Sequence, residues 1–105
     1  MGFFSNIFGG SGTDENLTKL INEGAFLVDV RTPAEFSGGH VKSSVNIPLD
    51  MVQNQLGKFK DKNHIIVFCR SGNRSAQAKS ILESNGFTNV TNGGTWEDIN
   101  QILLK

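Results

Sequence analysis

Short apolar runs alternate along the chain with stretches in which apolar residues recur every three or four positions. That alternation predicts strands separated by helices. Leu17, Leu20 and Ile21 fall at helical spacing, with Thr13 or Asp14 available as an N-cap and Gly24 as a stop. Ala25-Phe26-Leu27-Val28-Asp29-Val30 is nearly continuous in apolar residues and suits a strand covered on both faces. Thr32-Pro33-Ala34-Glu35 predicts a helix start. Thr32 caps, Pro33 takes the first helical position, Glu35 completes a capping box, and Gly38-Gly39 ends the helix quickly. Val45-Asn46-Ile47 reads as a short strand closed by Pro48. Leu49, Val52, Leu56 and Phe59 then share one helical face. Ile65-Ile66-Val67-Phe68 is the strongest strand signal and runs into Cys69. A helix from about Arg74 to Asn85 turns Ala78, Ile81 and Leu82 inward and stops at Gly86. Asn89-Val90-Thr91 predicts a brief strand broken by Gly93-Gly94. Trp96 to Leu104 predicts a last helix with Trp96, Ile99, Ile102 and Leu103 inward. The order implies an α/β fold with a mainly parallel sheet covered on both sides.

The 105 residues suffice for one compact domain. Gly9-Gly10-Ser11-Gly12 reads as a flexible break, which divides the chain into a tail, 1–12, and a domain, 13–105. The tail opens Met1-Gly2-Phe3-Phe4-Ser5-Asn6-Ile7-Phe8. It lacks the basic region and cleavage site of a signal peptide, and Asn6 stands where a myristoylation motif has Ser or Thr. A frayed or loosely docked segment is the expectation there, and without an export signal the default location is the cytoplasm. Ten Lys and Arg balance ten Asp and Glu. The chain therefore has no global electrostatic reason to bind nucleic acid or an anionic membrane. No segment is long enough to span a bilayer. The single cysteine rules out an intramolecular disulfide and argues against a cysteine metal cluster, so no metal is expected.

Chemistry concentrates in Cys69-Arg70-Ser71-Gly72-Asn73-Arg74-Ser75. In open α/β sheets ligands bind beyond the carboxyl ends of strands, and Cys69 sits at such an end. The loop leads into a helix N-terminus, where free N–H groups and the helix dipole favour an anion. Gly72 allows the backbone to turn inward, so successive N–H groups can form a nest around whatever the sulfur carries. The helix terminus, with Arg70 and Arg74, should lower the Cys69 pKa and favour the nucleophilic thiolate. A buried, inert cysteine is the ordinary outcome after an apolar strand; the glycine-containing loop, two arginines and following helix favour a reactive one.

These segments resemble the rhodanese-like family. Leu27-Val28-Asp29-Val30-Arg31, Glu35-Phe36, Gly39-His40-Val41 and Asn46-Ile47-Pro48 look like its first signature. Ile66-Val67-Phe68-Cys69, Ser71-Gly72, Arg74-Ser75, Leu82, Gly86-Phe87 and Asn89-Val90 look like the second, with Gly93-Gly94 and Trp96 as the closing motif. The resemblance covers residues 13–104 and implies a three-layer fold, a mainly parallel sheet of four to five strands flanked by helices. Family members commonly begin with a short strand before the first helix, and Gly9–Gly12 occupies that place here. The resemblance also implies a sulfurtransferase without a cofactor. Cys69 would take the outer sulfur of thiosulfate as a persulfide and pass it to cyanide or a thiol. Backbone amides from Arg70 to Ser75 would hold the persulfide, and Arg70 would guide the anionic donor.

Two alternatives stand beside the enzyme: a persulfide carrier loaded by a partner protein, and a non-catalytic interaction module. Cysteine phosphatase or arsenate reductase chemistry is a minor one. Four residues separate Cys69 from Arg74, one fewer than in the phosphatase loop, and the shorter loop better suits a sulfur atom. Asp29 and Arg31 are expected to hold the sheet edge and loops together. Glu35 is expected to be a cap or a partner of Arg31, His40 a structural hydrogen-bonder, and His64 exposed. Trp96 is expected in the core, at the border of a pocket.

Overall fold

The computed structural model describes residues 10–104, and the expectations for the first nine residues lie outside them. In chain order the elements are α1 (Gly10–Asn22), β1 (Phe26–Asp29), α2 (Pro33–Ser37), β2 (Val45–Asn46), two short 3-10 helices (Leu49–Met51 and Gln53–Phe59), β3 (Ile65–Cys69), α3 (Asn73–Ser84), β4 (Val90–Thr95) and α4 (Trp96–Leu104). The four strands form one sheet in the order β2-β1-β3-β4, every pair parallel. No helix among the described residues is long and apolar enough to cross a membrane.

The central strand shows why the fold has three layers. All five residues of β3 are buried, and successive side chains point to opposite faces. Ile65, Val67 and Cys69 join Val28, Val30, Ile47, Val52, Phe59, Ala78 and Leu82 in a core on one face. Ile66 and Phe68 join Leu17, Leu27, Val41, Ile99 and Ile102 on the other. The first core is roofed by α3 and the 3-10 segment, the second by α1 and α4. Cys69 therefore points to the α3 side of the sheet.

Four expectations are corrected. Gly10, Ser11 and Gly12 are the first turn of α1 rather than a flexible break, so Thr13 and Asp14 lie inside the helix. A helical glycine costs only about 1 kcal/mol relative to alanine, and Leu17, fully buried, anchors the element. The segment from Leu49 to Phe59 buries Val52 and Phe59 and half-buries Leu49 and Leu56, as its spacing predicts. It does so as 3-10 turns kinked at Gln55 (φ −126°, ψ 34°) rather than as one α-helix. In α4, Ile102 is buried with Ile99 while Leu103 is 37% exposed, because α1 packs against the Ile102 side.

The fourth correction concerns Gly93-Gly94, which does not break β4. Val67 pairs with Asn92 but Phe68 pairs with Gly94, so Gly93 is an extra residue and the strand bulges there. A Cβ on Gly93 would stand 2.8 Å from Ile66 Cγ2 and 3.0 Å from Ile99 Cδ1. Gly94 has φ +83°, a conformation that side chains disfavour. The two glycines thus carry the bulge instead of ending the strand.

Candidate active site

β3 delivers Cys69 fully buried at its carboxyl end. The chain then turns through Arg70 and Ser71, both exposed, to Gly72 at φ 96°, the N-cap of α3. That left-handed turn aims the Gly72 N–H back at the sulfur, and it donates to Cys69 Sγ at 3.0 Å. Ser75, buried in the first turn of α3, places its Oγ 3.5 Å from the same sulfur. Burial alone pushes the Cys69 thiol up. Hydrogen bonds from the Ser75 hydroxyl and from the backbone amides of Ser75, Ser71 and Gly72 outweigh it and leave the pKa below the ordinary thiol value. The predicted direction holds, and the hydrogen bonds that produce it come from the loop amides and Ser75.

The two loop arginines do different things. Arg70 lines an open cavity of about 250 Å³ together with Arg31, Glu35, Gly39, Trp96 and Glu97. Arg74 turns away to Glu35 in a bidentate pair, Nη1 to Oε1 at 2.7 Å and Nη2 to Oε2 at 3.0 Å. Glu35 is thereby held at a pKa of about 2, with Arg74 the main cause and the Thr32 N–H second. The Arg74 pKa is raised in return, first by Glu35. Glu35 also completes the predicted capping box with Thr32. The expected Glu35–Arg31 pair does not form, because Arg31 is committed elsewhere. Its Nε and Nη2 both donate to the Asp29 carboxylate, and Nη2 also donates to the Gly39 carbonyl at 2.7 Å. Its guanidinium stacks 4.6 Å from the Trp96 ring centroid.

Asn73 is exposed at the start of α3. His40 hydrogen-bonds the Phe36 carbonyl through Nδ1 at 2.8 Å and stacks on the Phe36 ring. His64 is half-buried rather than exposed, since its Nε2 meets Thr91 Oγ1 at 2.8 Å across the β3–β4 pair. Trp96 is half-buried, packed on the second core and bordering the cavity.

Sequence reasoning missed Asn92, which touches the loop from β4. Its Nδ2 donates to the Gly72 carbonyl at 3.2 Å, and its Oδ1 accepts from Ser75 Oγ at 2.7 Å and from the Gly94 N–H at 2.9 Å. The Asn92-to-Gly94 bond is an Asx turn. An asparagine two residues before the end of a Gly-Gly pair is the pattern that would have marked it.

A family model for the rhodanese-like domain matches residues 13–95, and the chain belongs to that family. The thiosulfate sulfurtransferase PspE of Escherichia coli (strain K12) is 40% identical over 74 residues, covering 69% of this chain and 71% of that protein. A sulfurtransferase of Allochromatium vinosum is 33% identical over 70 residues, covering 67% of this chain and 65% of that one. Among solved structures, a rhodanese with anions from E. coli superposes with a TM-score of 0.66 at 34% identity, over 71% of this chain and 91% of that one. A rhodanese-related protein from Thermoplasma volcanium superposes with a TM-score of 0.69 at 31% identity, over 84% and 88%.

Proposed function

We propose that the chain is a sulfurtransferase that carries sulfur as a persulfide on Cys69, with thiosulfate or a similar sulfane-sulfur compound as donor. The observation that carries this reading is the sulfur of Cys69 facing the amides of the loop that follows it, 3.0 Å from the Gly72 nitrogen, with its pKa lowered. The Cys69 thiolate attacks the outer sulfur of thiosulfate. A new S–S bond forms as the old one breaks, and sulfite leaves with the electron pair. The terminal sulfur now bears the negative charge, and the Ser71, Gly72 and Ser75 amides that hold Sγ are proposed to stabilise it. Cyanide or a thiolate then attacks that terminal sulfur and returns Cys69 as thiolate. Both displacements balance with these groups alone.

Arg70 is proposed to draw the anionic donor toward the loop, since it is exposed and opens onto the cavity. Arg74 is proposed to position the loop rather than hold substrate, because its guanidinium fork is filled by Glu35. That engagement also speaks against phosphatase chemistry, which needs the arginine free for the phosphate.

The test is an intact mass without reductant after exposure to thiosulfate, followed by addition of cyanide. Wild type should gain one sulfur and lose it as thiocyanate appears; Cys69→Ser should gain none. A folded protein with a free thiol and no adduct would reject thiosulfate as donor and favour a carrier loaded by a partner protein. Arg70→Ala should raise the KM for thiosulfate with kcat little changed, and an unaltered KM would remove Arg70 from donor capture.

A further inference from the structure

The Ser75 hydroxyl has one proton to give and three acceptors around it: Asn92 Oδ1 at 2.7 Å, the Gly72 carbonyl at 3.1 Å and Cys69 Sγ at 3.5 Å. The Gly72 carbonyl already receives the Ala76 N–H at 3.1 Å and Asn92 Nδ2 at 3.2 Å. Asn92 cannot reverse its amide without losing both that donation and the acceptance from the Gly94 N–H. The bulge at Gly93 fixes it further, since it sets where β4 places the residue before it. Asn92 Oδ1 is therefore a fixed acceptor and, by distance, the preferred one.

We propose that Asn92 is a positioning residue that governs how readily Cys69 ionises, by competing with the sulfur for the Ser75 proton. With Cys69 as a thiol, Ser75 donates to Asn92 and offers its lone pair to the S–H. With Cys69 as a thiolate, the sulfur is an acceptor only. Ser75 must then rotate its proton toward it and release Asn92 Oδ1, which is left with the Gly94 N–H as its only donor among these groups. Ionisation thus breaks one short hydrogen bond, while the thiol proton leaves for solvent. Asn92 holds the resting site toward the thiol.

The proposal rests on Cys69 as the reacting group, but its test needs no turnover, so failure of sulfur transfer would not touch it. The thiolate absorbance of Cys69 in the ultraviolet is titrated in wild type, Asn92→Ala, Ser75→Ala and the double variant. The charged side chains on the segments packed about the loop are Arg70 on the loop itself, Arg74 on α3, which acts on Cys69 through its charge, Asp29 and Arg31 at and just beyond the end of β1, Glu35 on α2 and Glu97 on α4. All are the same in the four proteins. Asn92→Ala should lower the titration midpoint, giving roughly three- to tenfold more thiolate on the acid side of the curve, the worth of one neutral hydrogen bond. In the Ser75→Ala background the Asn92 substitution should have no effect. An unchanged or raised midpoint, or the same downward shift without Ser75, would overturn the proposal. If Asn92→Ala loses its near-ultraviolet circular dichroism, Asn92→Asp is read instead. Its stronger acceptor should raise the midpoint, and part of that rise should vanish without Ser75; a rise of equal size in both backgrounds would refute the competition.

Discussion

Two arginine–carboxylate pairs in this molecule close at the same 2.7 Å and belong to different physical regimes. The Asp29 and Arg31 side chains are 0% and 5% exposed, whereas those of Glu35 and Arg74 are 29% and 32% exposed. In the first, both ions have lost water and are held by replacements: the Arg31 N–H on Asp29 Oδ1, the Gly39 carbonyl, the Trp96 face. Asn46 Nδ2 adds bonds to the Asp29 and Arg31 carbonyls that fasten β2 to the same corner. The second pair keeps much of its water and joins α2 to the first turn of α3. Equal distance therefore does not mean equal worth. A buried pair is costly to break because the survivor is left uncompensated, whereas an exposed pair contributes little by itself.

The sharpest break is Asp29→Asn, which keeps the shape and leaves the Arg31 charge buried alone. A loss of about 3–5 kcal/mol is expected in urea unfolding. A loss below about 1 kcal/mol would show that Arg31 regains water and that the two pairs are alike after all. Next comes Glu35→Ala, which removes the exposed pair and one arm of the capping box, for about 1–2 kcal/mol. The smallest effect is in pH. Glu35 sits at about 2 rather than its ordinary 4.5, chiefly because Arg74 hydrogen-bonds its charged form. A depressed carboxylate adds stability that is fully present above 4.5 and is lost as pH falls through about 2. The gap in unfolding midpoint between wild type and Glu35→Gln should be constant from neutral pH to about 4.5 and narrow below it. A gap that closes by pH 4 would mean that Arg74 does not hold Glu35 in solution.

The same contrast separates what is legible in the sequence from what is not. The capping box is legible because Thr32 and Glu35 lie within one turn. The Cys69 loop is legible because strand, loop and helix follow without interruption. The Glu35–Arg74 pair spans 39 positions and exists only because the sheet brings α2 beside α3. Arg31 chooses Asp29 over Glu35 for the opposite reason, since residues two apart at a strand end are neighbours whatever the helices do. In α4, Ile102 and Leu103 both lie near the apolar stripe, and only the position of α1 decides between them. Asn92 is hidden because a polar residue in a strand signals nothing until the bulge shows where it points.

The bulge has a consequence for association as well. Among the described residues β4 is an outer strand of the sheet, six residues long. A regular ladder of that length is a template for edge-to-edge growth, and natural sheets blunt such edges with bulges that twist them away. The extra residue at Gly93 divides β4 into Val90–Asn92 and Gly94–Thr95, two stretches too short to hold an incoming strand in register. One irregularity thus aims an amide at the loop and interrupts the ladder that this edge would offer to another strand.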